Sequence, residues 1–192
     1  MENGDMVVEV QRKRFTVDEY YRMAEVGILD PDDRVELIEG EIVPMSPIGV
    51  RHGGCVNRAT DLFTRLFRDK AIVTVQNPVR LNNFNEPQPD LTLCKWRSDF
   101  YSSHHPRPDE ILLAMEVADT TLKKDTQLKL PIYARLGIAE LWIVDLKHDR
   151  ILVFRDRKGD QYQTHLDFSR RQTLSVMAFP DALIKVEEVL GD

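Results

Sequence analysis

The chain has 192 residues, 42% of them hydrophobic and 30% charged, with nine glycines and ten prolines, which is the composition of a folded domain and not of a disordered or fibrous chain. Its longest apolar run, Ile111–Met115, is far short of the roughly 18–20 residues that cross a bilayer, and MENGDMVVEVQRK has no apolar signal core, so no membrane role and a cytoplasmic location are expected. Net charge is 26 − 32 = −6, which argues against a polyanionic partner, but residues 16–41 alone hold nine acids against Arg22 and Arg34. The rest of the chain is close to neutral, with basic clusters at 51–70 and 150–171, so a polarised surface is open to it.

No repeat or linker divides the chain; a single domain over 15–192 is expected behind a flexible segment, residues 1–14. Thr16-Val-Asp-Glu19 has the form of a capping box and predicts a short helix ending near Gly27. Val35–Val43 alternates around Glu39-Gly40 and predicts a hairpin. From Gly54 to Lys70, Val56, Ala59, Leu62, Phe63, Leu66 and Phe67 recur at helical spacing, the clearest helix in the chain. Strands are predicted at Ile72–Gln76, Val79–Leu81, Asp90–Cys94 and Ile111–Val117, the last apolar enough to be central and buried on both faces. Residues 124–136 predict a second main helix that Pro131 must kink or start, with Asp119 or Thr120 as its cap. Glu140–Leu146, Arg150–Phe154 and Gln161–Leu166 complete a mixed α+β pattern of helices covering a mixed sheet.

Several chemistries are absent. None of the nine glycines is followed by Lys or Ser, and there is no Gly-x-Ser-x-Gly or Gly-x-Gly-x-x-Gly, which excludes a phosphate loop, a nucleophile elbow and a dinucleotide fingerprint. His52 and Cys55 lack the further ligands of a zinc site, so Cys55 and Cys94 read as reduced packing residues and the loop histidines His104 and His105 as solvated. Asp119-Thr-Thr has no second copy to form an aspartic-protease dyad.

The informative set is Glu36, Asp90, Glu116 and Lys129. Glu116 interrupts the most apolar strand, and a carboxylate there is costly unless paired or bound to metal. Two acids on neighbouring strand ends suit Mg²⁺, which takes oxygen ligands and is commonly held by one or two carboxylates plus substrate phosphate. The bland alternatives are a buried ion pair for Glu116, a turn residue for Asp90, a solvated helix residue for Lys129 and an ordinary strand residue for Glu36.

Arg34-Val-Glu-Leu-Ile-Glu-Gly-Glu-Ile-Val43, Met45-Ser-Pro47, His52, Pro89-Asp90-Leu-Thr-Leu, Glu116-Val117 and the long stretch from Lys124-Asp125 through Lys129, Tyr133, Gly137 and Trp142 to Asp145 follow one another in a specific order. Together, over about residues 15–155, they resemble the PD-(D/E)XK nuclease superfamily and, within it, a large bacterial family of restriction endonucleases with the restriction-endonuclease-like fold. The resemblance implies a central mixed β-sheet flanked by helices and an endonuclease that uses Mg²⁺, or Mn²⁺, to hydrolyse phosphodiesters of nucleic acid, in the first instance DNA, by metal-activated water. It implies that Asp90 and Glu116 are metal ligands, with the Val117 carbonyl a third, that Glu36 is an additional acid and that Lys129 is the catalytic lysine. Ala118 stands where the simplest motif has its lysine, so that lysine has moved to the following helix, where Lys123 and Lys124 compete with Lys129. His52 either contacts phosphate at the start of its helix or only packs there. Cleavage of both strands would call for two active sites and so for a homodimer. Two other readings stay open: a catalytically silent nuclease fold acting as a nucleic-acid-binding or mobile-element accessory module, and a protein-interaction module using the acidic N-terminal segment.

Overall fold

Strand β5 (Ile111–Ala118) shows how the sheet divides the molecule, because its side chains alternate between two separate cores. Leu113, Met115 and Val117 belong to one core, Ala114 and Ala118 to the other, and Glu116 shares the face of those two alanines. This computed structural model describes residues 12–30 and 32–191; the expected flexible start lies outside the described residues as far as residue 11.

The sheet is six-stranded and ordered β3-β4-β5-β6-β7-β8, with β3 at Ala71–Val75, β4 at Leu91–Lys95, β6 at Leu141–Asp145, β7 at Arg150–Lys158 and β8 at Gln161–Ser169. Only β5 and β6 are parallel, as a helical crossover between them requires, and every other neighbour is antiparallel. The expected mixed sheet flanked by helices is therefore present, and β5 is interior and buried along nearly its whole length.

Helix α2 (Val50–Phe67) covers one face, its stripe of Val56, Ala59, Leu62, Phe63 and Phe67 packing with Leu91, Leu93, Met115 and Trp142. It begins four residues before the expected Gly54, with Gly49 as N-cap and Gly53-Gly54 inside the first turns, where tertiary packing overrides the poor helix propensity of glycine. Three small elements for which the sequence gives no periodic signal seal the same core: β9 (Thr173–Leu174), β10 (Ile184–Lys185) and α5 (Val186–Leu190).

On the other face lies the crossover, made of α3 (Leu122–Lys124), a π-helical turn (Asp125–Lys129) and α4 (Leu130–Arg135). Ile132, Tyr133 and Ala134 pack there on Ala114, Leu141 and Ile143. Neither Asp119 nor Thr120 caps this segment: Thr121 occupies the cap position without a side-chain cap bond, and Asp119 faces Arg51 at 3.7 Å.

Helix α1 (Val17–Glu25) opens with the expected capping box, Thr16 and Glu19 exchanging bonds between side chain and backbone. The hairpin β1 (Val35–Ile38) and β2 (Glu41–Pro44) turns at Glu39 and Gly40, which both have positive φ. A Cβ at Gly40 would lie 2.7 Å from Arg14 Cβ, so glycine is required there by space as well as by conformation. Val79–Leu81 is not a strand. Val79 and Leu81 are buried as their alternation predicts, but they bond to the returning loop at Pro87 and Asn85, and Pro78, Pro87 and Pro89 remove the donors a ladder would need.

Candidate active site

The antiparallel register of β4 and β5 ends at the pair Leu91–Met115, and one step further brings Asp90 alongside Glu116. A cleft of about 270 Å³ opens there, lined by Glu36 from β1, His52 from the first turn of α2, Asp90, Glu116 and the Lys124–Lys129 segment of the crossover. The four residues expected to carry chemistry, Glu36, Asp90, Glu116 and Lys129, thus meet in one place from four separate parts of the chain, and all are buried.

Asp90 is held from three directions. The Val117 amide donates to its Oδ2 at 2.8 Å, His52 Nε2 lies 3.0 Å from the same oxygen, and Gln76 Nε2 donates to Oδ1 at 3.3 Å. In an extended strand the amide and carbonyl of one residue point the same way. The Val117 carbonyl therefore faces the side on which β4 has ended, while its side chain is in the core. His52 does more than pack: its Nε2 bonds to Asp90, and that hydrogen bond holds its imidazole above the usual histidine pKa.

Glu116 accepts at one oxygen only. Lys129 Nζ at 3.1 Å and the Tyr133 hydroxyl at 2.7 Å both bond to Oε1, a pairing that their four-residue helical spacing makes natural. Ala114 and Ala118 on either side leave the room that Tyr133 fills. Among the described residues no protein donor bonds to Oε2. Glu36 is bound on both oxygens, by Lys124 Nζ at 3.2 Å on Oε1 and by Lys129 Nζ at 3.0 Å and the Gln88 amide at 3.3 Å on Oε2.

Acids outnumber bases in this cleft. Asp125, itself buried and bonded to Thr121, and Asp119 join Glu36, Asp90 and Glu116 against Arg34, Lys124, Lys129 and His52. Burial first, then the neighbouring Asp125, Asp90 and Glu36, push the Glu116 carboxyl up to about 8 against the pull of Lys129. Burial alone would lower Lys129, but Glu116, Glu36 and Asp125 outweigh it and hold the ammonium well above the ordinary lysine value. Burial also raises Asp125 and Tyr133.

Of the competing lysines, Lys124 enters the cleft with Lys129, whereas Lys123 is exposed and outside it. The histidines expected to be solvated are half-buried and have protein partners: His104 lies 3.1 Å from a Glu110 oxygen, and His105 lies 2.9 Å from the Tyr21 hydroxyl. Gln76 and Gln88 had no sequence signal, since one acts from a strand end and the other through its amide. Tyr133 had one, its position four residues after Lys129. Among the described residues no three His, Cys, Asp or Glu side chains already converge as a metal cage.

Residues 17–187 match the profile of the Uma2 family, described as "Putative restriction endonuclease". The chain belongs to this family. Its fold is also that of a crystal structure described as a putative nuclease belonging to DUF820 from Anabaena variabilis ATCC 29413, with a TM-score of 0.71 and 15% sequence identity over 92% of this chain and 97% of that one. The comparison with curated proteins returned no match. The Uma2 membership supports nuclease function in general and agrees with the restriction-endonuclease-like arrangement of the sheet. Among the described residues no helix is long and apolar enough to cross a membrane.

Proposed function

We propose that this Uma2 protein is a Mg²⁺-dependent endonuclease that hydrolyses phosphodiester bonds in DNA. The observation that carries the reading is the meeting of Asp90, Glu116, Glu36 and Lys129 in one buried cleft that holds more acid than base. The donors fit a hard cation: among the described residues Glu116 Oε2 has no protein partner, Asp90 is pinned beside it, and the Val117 carbonyl faces the same side. All three are oxygens, so Mn²⁺ would serve as well. When bound, the metal supplies a polarised phosphate and an activated water.

The chain's own groups then have separable tasks. Asp90 and Glu116 hold the cation, with Asp90 kept in place by His52, Gln76 and the Val117 amide. Lys129, anchored by Glu36 and Glu116, orients the attacking water and steadies the negative charge that develops on the phosphate. Glu36 fixes the ammonium groups in position. The first turn of α2 carries no acidic residue and opens on the cleft, which favours an approaching phosphate. Cleavage of both strands would take two such sites and hence two copies of the chain.

The test is cleavage of supercoiled and single-stranded DNA with Mg²⁺ or Mn²⁺ by the wild type, Glu116→Ala and Lys129→Ala, each checked by circular dichroism. Nicking by the wild type that disappears in both folded variants is expected. Cleavage by Glu116→Ala at the wild-type rate would sink the proposal, and a wild type that binds metal without cutting would favour the silent-module reading.

A further inference from the structure

The crossover from β5 to β6 owes its reach into the cleft to the π turn, closed by the Leu130 amide donating to the Asp125 carbonyl five residues back. Pro131 supplies a cause. It lacks an amide hydrogen, and in a regular helix its ring would collide with the carbonyl of Gln127, a conflict that a wider turn relieves. Thr126 adds to the distortion by donating its hydroxyl to the Leu122 carbonyl at 2.7 Å.

In a regular α-helix, residues five apart point about 140° away from each other. Lys124 and Lys129 would then face different surroundings. With the π turn between them they reach the same carboxylate, Lys124 on Oε1 of Glu36 and Lys129 on Oε2. One buried glutamate thus carries two ammonium groups, one on each oxygen.

The two lysines differ in what remains free. Lys129 is 7% exposed and committed to two acids, Glu36 and Glu116. Lys124 is 29% exposed, lines the cleft, and uses Glu36 and the Pro44 carbonyl as partners. An ammonium has three donors, so one of those on Lys124 is left for a ligand. The geometry points to Lys124 as a second working lysine, held over the cleft by Glu36 and the π turn, that contacts a phosphate of the nucleic-acid strand while Lys129 stays at the reacting atoms. This rests on the nuclease reading. Lys124 is then a partner of Lys129 and not its rival, and Lys123, exposed and outside the cleft, carries the same charge without the contact.

The experiment is the binding of a short fluorescein-labelled DNA duplex, followed by anisotropy across a salt series with Ca²⁺ replacing Mg²⁺. Wild type, Lys124→Met, Lys124→Arg and Lys123→Met are compared, each checked by circular dichroism. Lys124→Met should bind about threefold more weakly or worse at low salt, and its slope of log K against log salt should be shallower by about one. Lys124→Arg should recover most of the slope, and Lys123→Met should match the wild type. In cleavage with Mg²⁺, Lys124→Met should raise KM with kcat nearly kept. A Lys124→Met slope equal to wild type, or an equal loss in Lys123→Met, would overturn the inference and leave the nuclease reading standing. A wild type that binds no DNA at low salt would overturn both.

Discussion

Two buried glutamates, Glu116 in β5 and Glu140 at the entry to the neighbouring β6, have opposite surroundings. Glu140 is wholly buried just before β6, toward the N-terminal end of the parallel strand pair, and every direction is closed. Trp142 Nε1 at 2.7 Å and Arg155, through Nε at 2.9 Å and Nη2 at 2.6 Å, bond to one oxygen, and the Met177 amide at 2.6 Å bonds to the other. Charge and hydrogen bonds are both balanced, and the result is a staple joining β6, β7 and the segment that leads to the C-terminal elements. Glu116, near the C-terminal end of β5, has two donors on one oxygen, none among the described residues on the other, and an excess of acid around it. A closed carboxylate holds a fold together; one left half open in a cleft can receive a ligand.

The largest effect expected from this contrast is on stability. Glu140→Ala leaves the Arg155 guanidinium without its carboxylate and should cost about 3–5 kcal/mol, measured by urea or thermal unfolding, with the cleft chemistry unchanged per folded molecule. A loss below about 1 kcal/mol would break the staple description, since that is the size of an ordinary exposed pair. Glu116→Ala should behave the other way, keeping or gaining stability while activity disappears.

Tyr133→Phe sharpens the open side of the comparison. It removes one hydrogen bond to Glu116 Oε1 at nearly constant volume. About 1–2 kcal/mol of support for that carboxylate should go, seen as a roughly tenfold fall in cleavage with little change in melting temperature. Unchanged cleavage would show that Lys129 alone orients Glu116.

The smallest expected effect concerns a third buried acid, Asp145 at the end of β6. Burial acts to raise its carboxyl, but His148 Nδ1 at 2.7 Å and Arg150 Nε at 3.0 Å overcome that and hold it below the usual range. A depressed folded pKa gives stability that is present above the ordinary aspartate value and is lost as pH falls through the folded one. Asp145→Asn should therefore flatten the fall in stability below about pH 4, and an identical acid slope in both proteins would remove Asp145 as its source.

Much of this was legible in the sequence because it depends on periodicity or on order along the chain. The alternation around Gly40 marks the hairpin, the stripe of α2 names its buried face, the apolar run of β5 marks a strand buried on both faces, and Glu116 stands out because it breaks that run. The order of Glu36, Asp90, Glu116 and Lys129 also located the cleft, whose members arrive from β1, the start of β4, the end of β5 and the crossover. What stayed hidden is set by tertiary contact. Val79 and Leu81 alternate like a strand but bond to a proline-rich return loop. The elements β9, β10 and α5 are too short to show a period. The choice between Lys124 and Lys129 could not be made from spacing, because five residues place them on different faces of an α-helix and on one carboxylate only through the π turn.

The central claim is that Glu116 is open to a divalent cation where Glu140 is closed. Calorimetric titration of Mg²⁺ or Mn²⁺ into the wild type and into folded Glu116→Ala tests it most directly. Binding to the wild type that is lost in Glu116→Ala is the predicted result. Binding of equal strength and stoichiometry in both proteins would contradict the account and move the cation, and the chemistry with it, away from Glu116.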